Sequence, residues 1–275
     1  MTRPAILLDN AIKTFGTTRA LDRVSLTIRP GELVGLLGPS GSGKSTLFRC
    51  LTALDRVDQG TVQVLGQDIA ALRGAALRAL RRDIGLIFQQ FNLIGRMHAL
   101  DNTLAGRLGH TPTWRVLLRQ FPRADRQLAL ASLDRVGLLE RAYQRADSLS
   151  GGQQQRVAIA RVLTQQSRLV LADEPISSLD PEAAHTVLSA LRNIAHDHGI
   201  AVLCSLHQVD MALAYTDRIL GLRQGQLVLD QATATLDATI LAGLYRPVAT
   251  PPGDRRTTPA DLTPATASTL TLADA

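Results

Sequence analysis

A glycine-rich segment near the N-terminus carries the clearest chemical pattern in the sequence. It follows an apolar stretch, Leu33–Leu37, that predicts a buried strand, and it leads into a predicted helix from about Lys44. Its residues are Gly38, Pro39, Ser40, Gly41, Ser42, Gly43, Lys44, Ser45 and Thr46. Glycines at this spacing let successive backbone N–H groups point at phosphate oxygens, and the N-terminus of the following helix favours negative charge. The segment therefore predicts a phosphate-binding loop.

Two residues of this loop have chemical roles of their own in a nucleotide site. We expect the Lys44 amine to reach the β- and γ-phosphates and the Ser45 hydroxyl to bind Mg²⁺. The chain has 30 basic residues, but Lys13 and Lys44 are its only lysines, so a lysine at this position stands out in an arginine-rich sequence. The alternative is a glycine-rich turn without a ligand.

A second apolar stretch ends in two carboxylates. Leu169–Ala172 predicts a buried strand, and Asp173 and Glu174 follow it directly. Ligands of parallel α/β sheets bind beyond the carboxyl ends of the strands, so both carboxylates are expected beside the phosphate loop. Asp173 suits Mg²⁺, directly or through a water molecule, and Glu174 could polarise an attacking water. The alternative is an ordinary strand terminus.

A serine and two glycines open a third element. Ser150, Gly151, Gly152 and Gln153 lead into a strongly helical run, Gln154–Leu163. A helix start of this kind offers N–H donors and a hydroxyl to an anion. The phosphate loop already accounts for the binding of one nucleotide. A second anion-binding element is therefore explained if it contacts the nucleotide bound by another subunit. The alternative is a simple helix cap with a flexible entry.

Strand and helix patterns alternate around these segments. Besides the two strands above, strands are predicted at 24–28, in an edge hairpin with Val62 and Val64, as a buried strand at Ile84–Phe88, and at 201–205, 218–222 and 226–230; helices are predicted near 181–198 and 208–215. This alternation predicts an α/β fold with a mainly parallel sheet covered on both faces. From about Asn92 to Thr164 helical spacing replaces the strand patterns, which predicts a helical insertion.

The ends of the chain and its cysteines exclude several classes of protein. Residues 247–275 hold five of the twelve prolines and seven threonines, which predicts a disordered tail. No apolar run approaches the ~20 residues of a transmembrane helix, and the first residues do not resemble a secretory signal, so the chain is expected to stay in the cytoplasm. Cys50 and Cys204 lack the spacing of a disulfide scaffold or a zinc site and are expected to be buried.

The positive charge of the chain does not by itself indicate a nucleic-acid ligand. The net charge is +6, but the arginines are spread along the chain and aromatic residues make up only 3% of it, too few for a base-stacking surface. We therefore expect no nucleic-acid partner. Apart from His207, which follows an apolar strand, the histidines share no ligand spacing; His196 and His198 point to different sides of a predicted helix and are expected to be solvated.

The phosphate loop, the segment Leu149–Gln153 (LSGGQ) and the Asp173–Glu174 pair, in this order and spacing, resemble the ATP-binding subunits of ABC transporters. The resemblance covers about residues 5–246. It implies an α/β fold: a P-loop NTPase (RecA-like) core with an antiparallel β subdomain and an inserted α-helical subdomain. The nucleotide-binding domain would span residues 1–246, with the helical subdomain at about 92–164. The resemblance also implies an ATPase that uses Mg²⁺.

Further residues are assigned only by their position in this family. Gln89 matches the glutamine that contacts Mg²⁺ and the attacking water and couples to the membrane subunit, and His207 matches the histidine that contacts the γ-phosphate. Asp180, in Ser178–Asp180, matches a loop that communicates across a dimer. Phe15 matches the aromatic residue that stacks on adenine, where the family more often has tyrosine; a core phenylalanine is the alternative.

The resemblance also implies an assembly. Two copies would sandwich two ATP molecules head to tail, with Ser150–Gln153 of one copy completing the site of the other. The pair would act on two membrane-spanning permease subunits at the cytoplasmic face of the inner membrane. An extracytoplasmic solute-binding protein would deliver the solute to the permease.

Parts of the sequence also suggest a solute class. The stretch Arg107–Arg115, the residues 117–121 that follow it, residues 150–161 and Leu206–Asp210 resemble ATP-binding subunits of phosphonate importers. Phosphonate uptake is therefore expected, with phosphite, phosphate or an amino acid as alternative solutes. Two further alternatives are an ABC-type ATPase that acts on nucleic acid or ribosomes, and an energy or regulatory subunit of a soluble enzyme assembly.

Overall fold

The computed structural model describes residues 3–118 and 120–236, together with Leu241 and Leu244. The elements described below belong to one compact unit, Met1–Tyr245. The predicted tail at 247–275 lies outside the described residues.

The strands and helices of the described residues alternate along most of the chain. The strands are β1 (Ile6–Phe15), β2 (Thr18–Ile28), β3 (Leu33–Leu37), β4 (Gln59–Val64), β5 (Gln67–Asp68), β6 (Ile84–Phe88), β7 (Leu169–Asp173), β8 (Ala201–Ser205), β9 (Arg218–Arg223) and β10 (Gln226–Ala232). The helices are α1 (Lys44–Leu51), α2 (Gly74–Arg82), α3 (Ala99–Leu104), α4 (Thr113–Leu117), α5 (Arg123–Arg135), α6 (Gly151–Gln165), α7 (Pro181–His198) and α8 (Val209–Tyr215).

The strands form two sheets. The larger has the order β10-β9-β3-β8-β7-β6, and all neighbours in it are parallel except β10, which returns antiparallel to β9. The smaller has the order β2-β1-β4-β5 and is antiparallel throughout. The predicted α/β class, with its antiparallel subdomain and inserted helices, is confirmed.

The central strands are apolar along their whole length because each of their faces meets a different core. Successive strand residues point to opposite sides of the sheet. In β7, Leu169 and Leu171 join the core shared with the antiparallel sheet, α1 and α2, whereas Val170 and Ala172 join the core shared with α3, α5, α6, α7 and α8. The alternation in β3 and β8 is the same. A continuous run of apolar residues is therefore what a strand covered on both faces requires.

The structure departs from the sequence predictions at two strands. β1 was not predicted, because bulges beside Asn10, whose φ is +50°, break the alternation of its side chains. The edge hairpin predicted with Val62 and Val64 is present, since β4 pairs antiparallel with β5, which lies at one edge of the small sheet. β6 has the predicted bounds but is an edge strand, with Phe88 exposed.

The histidine and cysteine predictions are confirmed. His196 and His198 are both exposed; Nε2 of His196 in addition lies 3.0 Å from Oδ2 of Asp217, which accepts a hydrogen bond from the backbone N–H of Leu33. Cys50 and Cys204 are free and buried. Burial raises the pKa of the Cys50 thiol to about 11 and that of Cys204 further still, so both thiols are protonated at neutral pH.

Within the described part of the chain, none of the helices combines the length and the apolar character that crossing a membrane would require.

We predict that Gly85→Ala destabilises the junction between β6 and α6. A Cβ atom at Gly85 would overlap Cγ1 of Val162 and lie 2.7 Å from Oγ of Ser167, and both neighbours are buried. Overpacking of this kind costs about 1–3 kcal/mol, to be measured as the free energy of unfolding in urea.

Gly151→Ala is the matched control for this prediction. A Cβ atom there would meet Leu179 at 3.6 Å and Phe91 at 3.7 Å, which are ordinary contact distances, and the position lies in the first turn of α6. The free energy of unfolding should change by less than about 0.5 kcal/mol or increase. Equal destabilisation by both substitutions would contradict the packing argument.

Candidate active site

The glycine-rich loop lies between β3 and α1, with its lysine folded back onto it. Lys44 is 6% exposed, and its Nζ donates to the carbonyl oxygens of Gly38 at 2.7 Å and Pro39 at 3.2 Å. Burial is the largest influence on the pKa of Lys44 and lowers it, while the nearby charges of Glu174 and Asp173 raise it. The ammonium group is thus held at the loop, close to the carboxylates.

The β9–β10 turn and strand β2 both contact the loop. Gly225, in the turn between β9 and β10, donates its N–H to the carbonyl oxygen of Ser42 at 2.9 Å. Gly43 has φ +108°, and a Cβ atom there would overlap the backbone oxygen of Ala20 in β2. Gly43 is also the N-cap of α1, and no side chain caps this helix start. Its first N–H groups are therefore available to an anion.

The loop opens onto a cavity of about 640 Å³. Its lining combines seven loop residues, two residues that follow β7 and β8, and four residues that the sequence analysis did not single out. In that order they are Ser40, Gly41, Ser42, Gly43, Lys44, Ser45, Thr46, Glu174, His207, Thr18, Arg19, Ala20 and Gln224. The structure thus brings together the predicted phosphate loop, the predicted water-polarising carboxylate and the histidine.

The two carboxylates and the histidine are tied to one another by short contacts. His207 Nε2 lies 2.5 Å from Oε1 of Glu174. Glu174 has φ +49°, a strained conformation for a non-glycine residue that persists where the surroundings hold it. Its N–H donates to Ser205 Oγ at 2.8 Å, and the Ser205 hydroxyl donates to Oδ1 of Asp173 at 2.7 Å. One serine therefore orients both carboxylate residues.

Sequence reasoning missed Ser205. The residue is fully buried at the end of β8 and lies opposite Asp173 in the parallel register. The sequence did contain an indication of its role. A serine at the end of an otherwise apolar strand, two residues before His207, is unusual, because fully buried positions are mostly apolar. The partner could not be named from the sequence, because Ser205 and Asp173 are separated by 32 positions.

Gln89 follows β6 and forms part of the wall between two cavities. On one side, a cavity of about 310 Å³ is lined by Ser45, Phe88, Gln90, Asn92, Asp173 and Glu174 in addition to Gln89. On the other, a cavity of about 610 Å³ is lined by Gln89 through Leu93 together with residues that include Gln154 and Ser178. Gln89 is thus placed beside the predicted magnesium ligands Ser45 and Asp173.

Ser150–Gln153 and Asp180 do not line the 640 Å³ cavity. Ser150 and Gln153 form a reciprocal cap at the start of α6: Oγ of Ser150 accepts from the N–H of Gln153 at 3.3 Å, and Oε1 of Gln153 accepts from the N–H of Ser150 at 3.0 Å. Asp180 caps α7 by accepting from the N–H of Ala183 at 2.8 Å. Within one chain, these residues act as helix caps.

Phe15 lies at the end of β1 and is 48% exposed. This exposure excludes the alternative in which Phe15 is a core residue. Lys13 Nζ lies 5.2 Å from the centre of its ring. The ring does not line the 640 Å³ cavity in this structure.

We predict that Ser205→Ala costs both stability and activity. The substitution leaves a half-buried carboxylate oxygen and a backbone N–H without their partner, which costs about 1–3 kcal/mol in the free energy of unfolding. Ser177→Ala is the control, because exposed Ser177 also bonds to Glu174, with its hydroxyl 3.0 Å from the Glu174 carbonyl oxygen. Urea unfolding and ATPase assays compare the two; similar losses in both variants would contradict the role given to Ser205.

Comparison with known proteins agrees with this geometry. Residues 21–177 match the family model described as ABC transporter. The chain is 51% identical over 243 residues to the phosphonates import ATP-binding protein PhnC of Frankia casuarinae, covering 88% of this chain and 96% of that protein. It is 49% identical over 242 residues to the hypophosphite import ATP-binding protein HtxD of Stutzerimonas stutzeri, covering 88% and 71% of the two chains.

A solved structure shares the fold. The ATP-binding cassette MJ0796, in a dimeric post-hydrolysis state bound to ADP and Pi, has a TM-score of 0.70 and 33% sequence identity, and the match covers 83% of this chain and 98% of that one. A phosphate-binding loop, a strand-end carboxylate paired with a histidine, and relatives of this similarity lead to one conclusion: the chain belongs to the ABC transporter family and is an ATP-binding cassette that hydrolyses ATP.

Proposed function

We propose that this chain couples ATP binding and hydrolysis to the import of phosphonates across the inner membrane. The observation that carries the proposal is the meeting, in one cavity, of the Lys44 loop with the contact between Glu174 and His207. The solute class rests on the relatives and on the resemblance of the helical insertion to that of phosphonate importers.

The loop residues are proposed to hold the phosphates of ATP. Gly38, Pro39, Ser40, Gly41, Ser42, Gly43 and Thr46 would do so mainly through backbone N–H groups at the uncapped start of α1. Lys44 would exchange its two carbonyl partners for β- and γ-phosphate oxygens. Because burial disfavours a charged ammonium group and phosphate favours it, ATP binding would raise the pKa of Lys44 from its lowered value.

Ser45, Gln89 and Asp173 are proposed to hold Mg²⁺. These oxygen donors line one cavity, and Mg²⁺ in nucleotide sites is bound through one or two carboxylates plus substrate phosphates. This donor set fits the ion, and the ion would neutralise charge on the β- and γ-phosphates. Ser205 keeps the Asp173 carboxylate in place for this role.

Glu174 is proposed to orient and polarise the water that attacks the γ-phosphate. It lines the cavity beside the loop, and its backbone N–H is held by Ser205. His207 would bind a γ-phosphate oxygen, and its contact with Glu174 keeps both side chains at the reaction end of the cavity. Phosphoryl transfer needs positioning and charge stabilisation more than covalent chemistry, which suits this set of residues.

The site of one chain is proposed to be completed by a second copy. Ser150, Gly151, Gly152, Gln153 and Asp180 begin helices away from the cavity of their own chain. A head-to-tail dimer would turn the start of α6 toward the partner's nucleotide, where its N–H groups favour the γ-phosphate. Phe15, which is exposed at the end of β1, would stack on the adenine ring.

The Gln89 segment is proposed to carry the movement to two permease subunits. It lines both the cavity beside Asp173 and Glu174 and the 610 Å³ cavity, which those two residues do not line. A permease segment in the outer cavity would sense ATP-driven displacement of Gln89. The chain would then lie at the cytoplasmic face of the membrane, attached through the permease, while an extracytoplasmic solute-binding protein supplies the solute.

A second solute class is favoured by a specific finding. A relative with 49% identity is a hypophosphite import protein, and this chain would not touch the solute in the proposed assembly. Import of another phosphorus oxyanion, such as hypophosphite, phosphite or phosphate, is therefore the second candidate.

We predict that Glu174→Gln binds ATP but turns it over at least about 100-fold more slowly than the wild type, because the amide cannot accept a proton from water. With hydrolysis blocked, ATP should hold the chain in a stable dimer. Steady-state ATPase assays and size-exclusion chromatography with ATP measure both effects.

Glu182→Gln is the matched control for this variant. Glu182 lies exposed in the first turn of α7, so its neutralisation should leave turnover within about twofold of the wild type. Wild-type turnover in Glu174→Gln would overturn the role of Glu174.

We also predict that cells lacking this chain fail to grow on an alkylphosphonate as the sole phosphorus source and grow normally on phosphate. The wild-type gene should restore growth and uptake of the labelled phosphonate, and the Glu174→Gln gene should not. Cultures on hypophosphite and phosphite test the second candidate. Loss of growth only on hypophosphite or phosphite would replace the proposed solute, whereas normal uptake of every oxyanion would contradict import of this class.

A further inference from the structure

Helix α6 contacts both ends of β6 through hydrogen bonds from two of its side chains. Gln165 Nε2 donates to the carbonyl oxygens of Arg82 at 2.8 Å and Ile84 at 2.9 Å, where β6 begins. One turn earlier, Arg161 reaches the chain just beyond the end of β6. Its Nη1 donates to the carbonyl oxygen of Asn92 at 2.8 Å and its Nη2 to that of Phe91 at 3.4 Å.

These two hydrogen bonds stabilise a charged side chain that is partly removed from water. Burial lowers the pKa of its guanidinium group, and no acidic side chain pairs with it within the part of the chain that the structure describes. A half-buried cation without a carboxylate partner depends on its remaining hydrogen bonds. The planar fork of arginine suits two successive carbonyl oxygens better than the single ammonium group of lysine does.

The acceptor segment is itself in an unusual conformation. Asn92 has φ +51°, a left-handed conformation that the surroundings must stabilise. The next part of the segment is held independently, because Asn102 of α3 accepts from the N–H of Ile94 and donates to the carbonyl oxygens of Ile94 and His98. Between Gln89 and Ile94, Arg161 therefore holds the backbone of Phe91 and Asn92.

We propose that Arg161 is a positioning residue that ties the segment after Gln89 to the helix that begins with Ser150–Gln153. The inference rests on the proposed function, in which Gln89 acts at the nucleotide of its own chain and Ser150–Gln153 act at that of the partner. Arg161 makes these two sets of residues move together. When the start of α6 closes on the partner's nucleotide, Arg161 draws Phe91 and Asn92 with it and brings Gln89 to its working position.

Arg161→Met tests this proposal, because it keeps an unbranched apolar stem and removes the donors. We expect kcat for ATP to fall ~10-fold or more, since small displacements of a positioned group cost this much. KM for ATP should stay within about twofold of the wild type, because Arg161 does not line the nucleotide cavity. Arg161→Lys, which keeps one donor, should recover part of kcat.

A double-mutant cycle distinguishes positioning from a general structural role. If Arg161 acts through Gln89, Arg161→Met should change kcat by less than about twofold in a Gln89→Ala background. Gln165→Met is the matched control: it removes two bonds from the same helix to the chain at the start of β6, at the end of the strand away from Gln89. It should lower thermal stability as much as Arg161→Met does, leave kcat unchanged, and act independently of Gln89.

Amide hydrogen exchange of residues 89–93 is a second measurement, and it does not depend on ATP hydrolysis. Exchange should be faster in Arg161→Met and unchanged in Gln165→Met. Unchanged exchange in Arg161→Met overturns the proposal, and so does an equal loss of kcat with and without Gln89. An inert wild-type protein would instead contradict the proposed function, and the exchange measurement would still decide whether Arg161 holds this segment.

Discussion

The active site depends on the parallel register of β3, β8, β7 and β6. In parallel strands the carboxyl ends meet at one edge of the sheet, and each of these four strands delivers a different part of the site there. The phosphate loop follows β3, and Gln89 follows β6. Ser205 ends β8 and His207 lies just beyond it, while Asp173 ends β7 and Glu174 follows directly. Residues far apart in the chain become neighbours only because these strands are aligned.

The two cores fix this register. A slip of one residue would turn every side chain of a strand to the opposite face. In β7, the residues before Asp173 alternate between a core packed on the antiparallel sheet and a core packed on the long helices. The apolar side chains that stabilise the sheet therefore also set the direction of the Asp173 carboxylate, which lies opposite Ser205 on one side and Phe88 on the other.

The phosphate loop and the Gln89 segment need support from outside the sheet, because glycine-rich and extended chain does not hold its own shape. The loop takes its support from Ala20 of the antiparallel sheet and from Gly225 of the β9–β10 turn. The Gln89 segment takes its support from Arg161 and Asn102. The first support comes from the antiparallel sheet and the β9–β10 turn. The second comes from the inserted helices, because Arg161 lies in α6 and Asn102 in α3.

The sequence by itself determined the phosphate loop, the strand that ends in Asp173 and Glu174, and the capped start of α6, because each depends on residues within about ten positions of one another. It also predicted the bounds of β3, β6 and β8. Tertiary structure alone decided which residues support them. Ser205 reaches Asp173 across 32 positions, Arg161 reaches Asn92 across 69, and His196 reaches Asp217 across 21. Contacts of this kind depend on how separate elements pack against one another, and a local sequence pattern does not predict that packing.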